Sequence, residues 1–249
     1  MEQRVNASPQ KKWLGIVGGL GPESTVDYYH MLIRRLRERT GDGHYPAFLV
    51  NSLNLKPAVD AVTAGDLETL TRIVVQGVEA LERAGAEFGL IAANTPHIVF
   101  DEVRRRVKLP MISIVEAARD AAQGAGHRRL ALFGTRFTMS GRFYPDVFDP
   151  AGIAIVPPNA AEQDWIHEKY FGELLLGIVR DETRAGLLRI AGRMREDERV
   201  DGLVIAGTEL SLILRMDSHG GIPFLDTAKI HVEAALDEML GVVRGGRRS

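Results

Sequence analysis

Two stretches of the chain decide its fold: Gly89-Leu-Ile-Ala-Ala-Asn-Thr95 and its echo, Gly202-Leu-Val-Ile-Ala-Gly-Thr208. Each is a short apolar run that ends in small and polar residues, which is typical of a buried strand in a parallel sheet. A second pair, Leu14–Gly19 and Leu130–Thr135, repeats in the same way. The two offsets, 113 and 116 positions, are nearly equal. They indicate two related α/β units in one chain.

Longer segments with helical periodicity separate the apolar runs along the whole chain. We expect strands at 13–17, 47–51, 88–92, 111–114, 130–133, 153–156, 203–206 and 223–225. We expect helices at 24–40, 66–84, 98–107, 115–124, 140–146, 161–179, 183–195 and 226–244. This alternation predicts an α/β fold with two pseudo-symmetric lobes, each a parallel sheet flanked by helices. The expected N-terminal lobe is 12–114 together with the C-terminal helix 226–244, and the expected C-terminal lobe is 115–222.

Composition excludes several classes of protein. The 249 residues contain 31 Lys and Arg against 33 Asp and Glu, so the formal net charge is −2 and a nucleic-acid partner is not expected. There is no cysteine, which excludes disulfides, thiolate metal sites and thiol nucleophiles. The seven histidines show no metal-ligand spacing, and we expect no metal. No targeting segment and no apolar run of about 20 residues is visible, so we expect a cytoplasmic protein without membrane contact.

Small and polar residues follow four of the predicted strands. Ligands of such folds bind outside the carboxyl ends of the strands, so these turns are candidate binding elements. The first, Gly18-Gly-Leu-Gly-Pro-Glu-Ser-Thr25, lacks the lysine of a phosphate loop and the third glycine of a dinucleotide fingerprint. The others begin at Asn94, Gly134 and Gly207. Together they predict a pocket between the lobes for one small anion, although each turn alone also suits a plain strand-to-helix connection.

The same motifs resemble those of the aspartate/glutamate racemase family. They are Gly18-Gly-Leu-Gly-Pro-Glu-Ser-Thr25, Asn94-Thr-Pro-His97 with Asp101-Glu102, Leu132-Phe-Gly-Thr-Arg-Phe-Thr-Met139 and Gly207-Thr-Glu-Leu210, and they occur in the family's order and spacing. The resemblance covers about residues 13–240. It implies two pseudo-symmetric lobes, an amino-acid racemase that needs no cofactor, an amino acid or other small carboxylate as ligand, and commonly a homodimer.

The resemblance also implies roles for single residues. The positions that hold the substrate carboxylate are Asn94, Thr95, Thr135, Thr138 and Thr208, and all keep their polar groups. We add the backbone of Gly19, whose turn lets an anion approach closely.

The two acid/base positions of the family, usually cysteines, correspond here to Ala93 and Gly207. Neither carries an ionisable group, so the usual two-thiol mechanism is not available. His97 and Glu209 are possible substitutes, although each lies beyond the usual position.

The expected contacts to the ligand's side chain differ as well. Relatives place a lysine on the helix after the 150s, where the best match here is Trp165. An arginine after the second strand is replaced around Asn51-Ser52. These changes predict an aromatic pocket without cations, suited to a monocarboxylate or a larger substrate and not to aspartate.

Three interpretations remain open from the sequence. The first is an isomerase of the racemase family that works through substitute residues or on a related reaction. The second is a non-catalytic protein that binds a small carboxylate, in a regulatory role. The third is that the cysteines were removed by engineering to trap a complex.

Overall fold

The structure is a computed structural model that describes residues 10–242. A first sheet of four parallel strands has the order β2-β1-β3-β4. Its elements are β1 (Leu14–Gly18), α1 (Pro22–Thr40), β2 (Phe48–Ser52), α2 (Leu55–Thr63), α3 (Leu67–Arg83), β3 (Phe88–Ile91), α4 (Phe100–Arg106) and β4 (Met111–Ile112). A 3₁₀ turn at Thr95–Val99 precedes α4.

The second sheet has the order β6-β5-β7-β9-β8, and its last strand alone runs antiparallel to its neighbour. Its half of the chain contains α5 (Ile114–Gly124), β5 (Arg129–Gly134), α6 (Arg136–Ser140), α7 (Pro145–Phe148), β6 (Ala154–Val156), α8 (Ala160–Gly172), α9 (Asp181–Glu198), β7 (Gly202–Ala206), α10 (Thr208–Ile213), β8 (Ser218–His219) and β9 (Ile222–Asp226). The last helix is α11 (Thr227–Leu240). The chain is therefore an α/β protein with two largely parallel sheets flanked by helices, as predicted.

The sequence repeat corresponds to the central strands of the two sheets. In the first sheet β1 pairs with β3, and in the second β5 pairs with β7, each in parallel register. All residues of β1, β3 and β7 are buried, because helices cover both faces of each sheet. Because these strands are parallel, the turns after them lie at the carboxyl ends of the two sheets. The residues after β1, β3, β5 and β7 are therefore near one another.

The last helix connects the two halves. It follows β9 of the second sheet, yet Val232, Leu236 and Met239 pack in one buried cluster with Leu14 and Tyr28 of the first half. β9 also extends the second sheet past residue 222, where we expected that lobe to end. The exact division of the chain into two domains stays a prediction.

The predicted strands are all present, β8 is a further short strand that was not expected, and the remaining differences concern helices. The helix expected at 140–146 is replaced by α6 and α7, which flank that segment. Two short helices, α2 and α10, were not expected. The helix expected at 226–244 ends at Leu240, and its last two positions lie outside the described residues.

Candidate functional site

A cavity lies at the carboxyl ends of the strands, between the two sheets. It encloses about 550 Å³, counting the part that opens to solvent. The first half of the chain contributes Leu20, Leu55, Ala58, Val59, Val62, Leu70, Ala93, Asn94, Thr95 and Pro96. The second half contributes Thr135, Phe137, Tyr170, Phe171, Leu175 and Thr208. Five of the predicted site residues therefore meet at one place because their strands end there: Ala93, Asn94, Thr95, Thr135 and Thr208.

Three threonine hydroxyls form a cluster at one side of the cavity. The Oγ1 atoms of Thr95 and Thr135 are 3.0 Å apart, and Thr138 Oγ1 lies 3.4 Å from Thr95 and 3.2 Å from Thr135. Thr135 is also the N-cap of α6, since its side chain accepts the backbone N–H of Thr138. Thr138 is fully buried behind the other two. Hydroxyls that now bond to one another can turn to donate to a carboxylate.

The rest of the cavity is mostly apolar. Leucine, valine and alanine side chains form one wall, and Phe137, Phe171 and Leu175 form the other. No lysine, arginine, histidine or acidic residue occurs among the lining residues in the described part of the chain. Lys169 of α8, the nearest lysine in sequence to the wall formed by that helix, is instead paired with Glu173 at 2.7 Å. The cavity thus suits an apolar group beside a carboxylate.

The two expected acid/base positions lie in different surroundings. Ala93 follows β3 and lines the cavity. Gly207 follows β7 and is covered by the Tyr170 ring: a Cβ added at Gly207 would lie 2.6 Å from Tyr170 Cε2 and 3.3 Å from its hydroxyl oxygen. The aromatic ring thus takes up the space that a side chain at position 207 would need.

Glu209 is buried behind Tyr170 and is held by hydroxyl groups. Ser24 Oγ lies 2.6 Å from Glu209 Oε1, and Thr208 Oγ1 lies 3.0 Å from Oε2. The Tyr170 hydroxyl donates to Oε2 as well. Ser24 belongs to the first half, so this carboxylate connects the glycine-rich turn after β1 to the turn after β7. Glu209 does not line the cavity itself but bonds to Tyr170 and Thr208, which do.

His97 is placed as a structural residue. Its Nδ1 is 2.9 Å from the carbonyl oxygen of Ala93, and its Nε2 accepts the backbone N–H of Ile114 at 3.2 Å. Burial, and then the neighbouring His231, lowers the pKa of His97 to about 3. Both ring nitrogens are therefore engaged and the ring is neutral, so the structure does not bring His97 into the cavity as an acid or base.

Asn94 and Thr208 line the cavity with side chains that already have partners. Asn94 donates to Thr227 Oγ1 at 3.1 Å and accepts from the Tyr144 hydroxyl at 2.6 Å. Thr208 bonds to Ser24 at 2.6 Å. These two residues hold turns of the two halves together as well as facing the cavity.

The structure does not place Gly19 and Trp165 at the cavity. Gly19 has φ +77°, its N–H donates to Thr25 Oγ1 at 2.9 Å, and a Cβ there would lie 2.2 Å from the Leu53 carbonyl oxygen. It is needed for a tight turn. Trp165 packs against Gly186 of α9, where a Cβ would lie 2.3 Å from its ring. Trp165 thus lies on the α9 side of α8, which turns about 100° per residue, and later residues of that helix line the cavity. A ligand contact of Trp165 stays a prediction.

Two functional candidates on α8 were missed by sequence reasoning. Tyr170 and Phe171 supply the aromatic wall that we had assigned to Trp165. The available signal was the aromatic pair itself, five and six positions after Trp165 and so on the other side of the helix. Among the described residues, no cluster of three or more His, Asp or Glu is placed to hold a metal ion. None of the helices within residues 10–242 has the length and apolar character that a membrane crossing requires.

Comparison with known proteins gives consistent results. The model of the Asp/Glu/hydantoin racemase family matches residues 17–235. An aspartate racemase homologue from Pyrococcus horikoshii is 34% identical, with a TM-score of 0.78 over 92% of this chain and 99% of that one. A putative Asp/Glu racemase from Yersinia pestis is 28% identical, with a TM-score of 0.82 over 92% of this chain and 100% of the other.

A further relative is an amino-acid racemase. A broad-specificity amino-acid racemase of Bacillus subtilis is 25% identical over 153 residues, which are 60% of this chain. The chain spans 66% of the length of that relative, just under two thirds.

Proposed function

The chain belongs to the Asp/Glu/hydantoin racemase family, and on that premise we propose that it binds a small carboxylate with an apolar side chain between its two sheets, at a racemase-type site without a thiol pair. The observation that carries the proposal is the cavity itself. The hydroxyls of Thr95 and Thr135 stand at one side of it, and apolar residues form the remainder.

The hydroxyl cluster supports the carboxylate half of the proposal. Thr95 follows β3 of the first sheet and Thr135 follows β5 of the second, and both residues line the cavity. A hydrogen bond to a charged group contributes about 1.5–3 kcal/mol, more than the neutral hydroxyl-to-hydroxyl bonds it would replace. A carboxylate placed between the two turns therefore gains by reorienting hydroxyls that are already in position.

The apolar walls support the side-chain half. A second carboxylate, as in aspartate or glutamate, would lie against residues such as Leu55, Val62 and Phe171 with no lysine or arginine from the cavity lining. Burying an unpaired charge costs several kcal/mol in proteins. We therefore place leucine-like or aryl-substituted carboxylates, amino acids among them, ahead of acidic amino acids.

The positions of Ala93 and Gly207 define what the site lacks. A positioned acid or base contributes about 10²–10⁴-fold in rate, and neither residue can exchange a proton. Racemisation by two opposed thiols is thus not part of the proposal. Binding without chemistry is the second candidate function. The observation that favours it is that Asn94 and Thr208 are buried and already bonded, to Thr227 and Ser24, which makes a stable scaffold for binding.

The test is calorimetric titration of the purified protein with each enantiomer of leucine, phenylglycine and aspartate. We expect saturable binding of an apolar probe and at least 10-fold weaker binding of aspartate. Thr135→Val should weaken binding about 10-fold or more, whereas Thr135→Ser, which keeps the hydroxyl, should stay within a few-fold. Thr63→Val changes an exposed threonine outside the cavity lining and is the control. Tighter binding of aspartate than of every apolar probe would contradict the proposal.

A further inference from the structure

We propose that the Tyr170 phenol, coupled to Glu209, is a one-sided acid/base that exchanges the α-proton of the bound carboxylate without inverting the α-carbon. This inference rests on the proposed function, because it needs a carboxylate in the cavity. It starts from a contact that the family resemblance does not supply: the ring of Tyr170 against the bare backbone of Gly207.

The position of the Tyr170 phenol supports its role as an acid/base. Tyr170 lines the cavity, and its hydroxyl oxygen lies 3.3 Å from the place that a Cβ of Gly207 would occupy. The ring edge lies closer still, at 2.6 Å, so any side chain at position 207 would displace it. Glycine at position 207 and tyrosine at position 170 therefore fit each other: the ring and its hydroxyl occupy the space that a side chain at position 207 would need, and Tyr170 itself lines the cavity.

The hydrogen bond from the phenol to Glu209 also supports this role. The Tyr170 hydroxyl donates to Oε2 of the buried Glu209, whose other oxygen is 2.6 Å from Ser24 Oγ. The carboxylate is thereby fixed behind the phenol and away from the cavity. Burial, and next the Glu209 charge, raises the pKa of Tyr170, so the phenol keeps its proton at neutral pH. The phenol works as a relay between the cavity and the carboxylate.

The proposed step is balanced within this relay. The α-carbon–hydrogen bond breaks, and the proton forms a new O–H bond at the phenol oxygen. The original phenol proton passes to Glu209 Oε2. The electron pair left on the α-carbon spreads into the ligand's carboxylate, where the hydroxyls of Thr95 and Thr135 donate to it. In D₂O the phenol then exchanges its new proton for a solvent deuteron at the open side of the cavity. Reversal delivers this deuteron to the α-carbon and returns the Glu209 proton to the phenol oxygen, so water is the only further reactant.

The rest of the cavity makes the exchange one-sided. Among the described residues that line it, Tyr170 is the only one with a titratable side chain. Ala93, after the equivalent strand, offers a methyl group, and both ring nitrogens of the nearby His97 are bonded to backbone. The α-carbon can be reprotonated only from the face it was deprotonated on. Exchange with solvent and retention of configuration should therefore occur together.

The test follows the α-proton signal of D- and L-phenylglycine in D₂O by NMR, with chiral chromatography of the product. Phenylglycine is the probe because its phenyl group makes the α-hydrogen more acidic. We expect one enantiomer to lose its α-proton signal and keep its configuration, while the other exchanges at least 10-fold more slowly. Both enantiomers are also titrated by calorimetry, so that binding and exchange are measured separately.

Variants separate the role of the phenol from a structural effect. Tyr170→Phe should leave the Kd within a few-fold and slow exchange by about 10² or more. Glu209→Gln acts through Tyr170 and should lower the exchange rate in the same way without a matching change in Kd. Tyr28→Phe is the control: it also removes a buried hydroxyl, one that bonds to His231 at 2.9 Å outside the cavity. It should leave exchange unchanged.

A gain of function tests the missing second face. Ala93→Cys adds a proton carrier opposite Tyr170, and we expect the exchange to become interconversion of the two enantiomers. Binding of phenylglycine without exchange in the natural protein would overturn the inference and leave the proposed function standing. Absence of binding of every apolar probe, leucine as well as phenylglycine, would overturn the proposed function itself. Equal exchange of both enantiomers, or unchanged exchange in Tyr170→Phe, would also refute the inference.

Discussion

Replacing Gly207 by alanine should destabilise the protein through one identifiable contact. The new Cβ would lie 2.6 Å from Tyr170 Cε2 and 3.2 Å from Leu210 Cδ1. Two carbon atoms in contact normally stand about 3.5–4.0 Å apart, so the ring would have to move by about 1 Å. The backbone of Gly207 is extended, at φ −152°, and adds no strain of its own.

The magnitude follows from the competing effects. Overpacking of a buried site costs about 1–3 kcal/mol. Alanine also restricts the conformations of the unfolded chain, which raises the free energy of unfolding by about 0.4–1 kcal/mol. We therefore expect Gly207→Ala to lower the free energy of unfolding by about 1–2 kcal/mol. In a Tyr170→Ala background the obstacle is gone, and the same change should be neutral or stabilising.

The assay is a double-mutant cycle with urea denaturation. Tyr170→Ala alone should cost about 3–5 kcal/mol because it opens a cavity in a buried place. The double variant should be more stable than the sum of the single changes predicts, by about 1–3 kcal/mol. Gly192→Ala in α9 is the control, since a Cβ there meets no atom within 4 Å. If the two changes at the site add to within about 0.5 kcal/mol, the claim that Tyr170 occupies the place of the missing side chain is refuted.

Three further predictions concern stability. Burial lowers the pKa of His97 to about 3 and that of His231 to about 4, against 6.5 in the unfolded chain. On acidification these histidines are therefore protonated in the unfolded state before they are in the folded state. The free energy of unfolding should fall by roughly 3 kcal/mol from about pH 7.5 to about pH 5.5. A free energy from urea denaturation that does not change over this pH range would contradict this. Arg199 has φ +57°, so Arg199→Gly should raise the free energy of unfolding by about 0.5–1 kcal/mol, and a loss would contradict the assignment. Tyr144→Phe leaves the buried Asn94 oxygen without its 2.6 Å donor and should cost about 1–3 kcal/mol in the same assay, whereas an unchanged midpoint would show that the bond contributes nothing.

The strands could be predicted from the sequence because buried parallel strands appear as short apolar runs. The repeat indicated two related units, and in the structure its copies Leu14–Gly19 and Leu130–Thr135 contain β1 and β5. The order of the strands in each sheet was not predicted. Thr95 and Thr135 were predictable for a related reason: both directly follow a parallel strand, and ligands of such folds bind outside the carboxyl ends of the strands. The short helices α2 and α10 were missed because one contains Pro57 and the other follows the glycine turn without an apolar repeat.

The remaining features of the site depend on contacts between distant residues. Trp165 was assigned to the cavity because sequence does not show which face of α8 meets it. Tyr170 was missed because its contact with Gly207, 37 residues later, is not visible in the sequence. His97 looked like a free base and is instead bonded through both nitrogens to backbone groups. In each case packing, and not residue type, settles the role.

The most direct test of the account is a crystal structure of the protein with an apolar amino acid such as L-leucine or L-phenylglycine bound. We expect the ligand carboxylate to lie within about 3 Å of the Thr95 and Thr135 hydroxyls, which is hydrogen-bonding distance. We also expect the α-carbon to lie about 3–4 Å from the Tyr170 hydroxyl, with the side chain against the apolar walls. A ligand whose carboxylate lies away from these threonines, or whose α-carbon faces no part of Tyr170, would contradict the account.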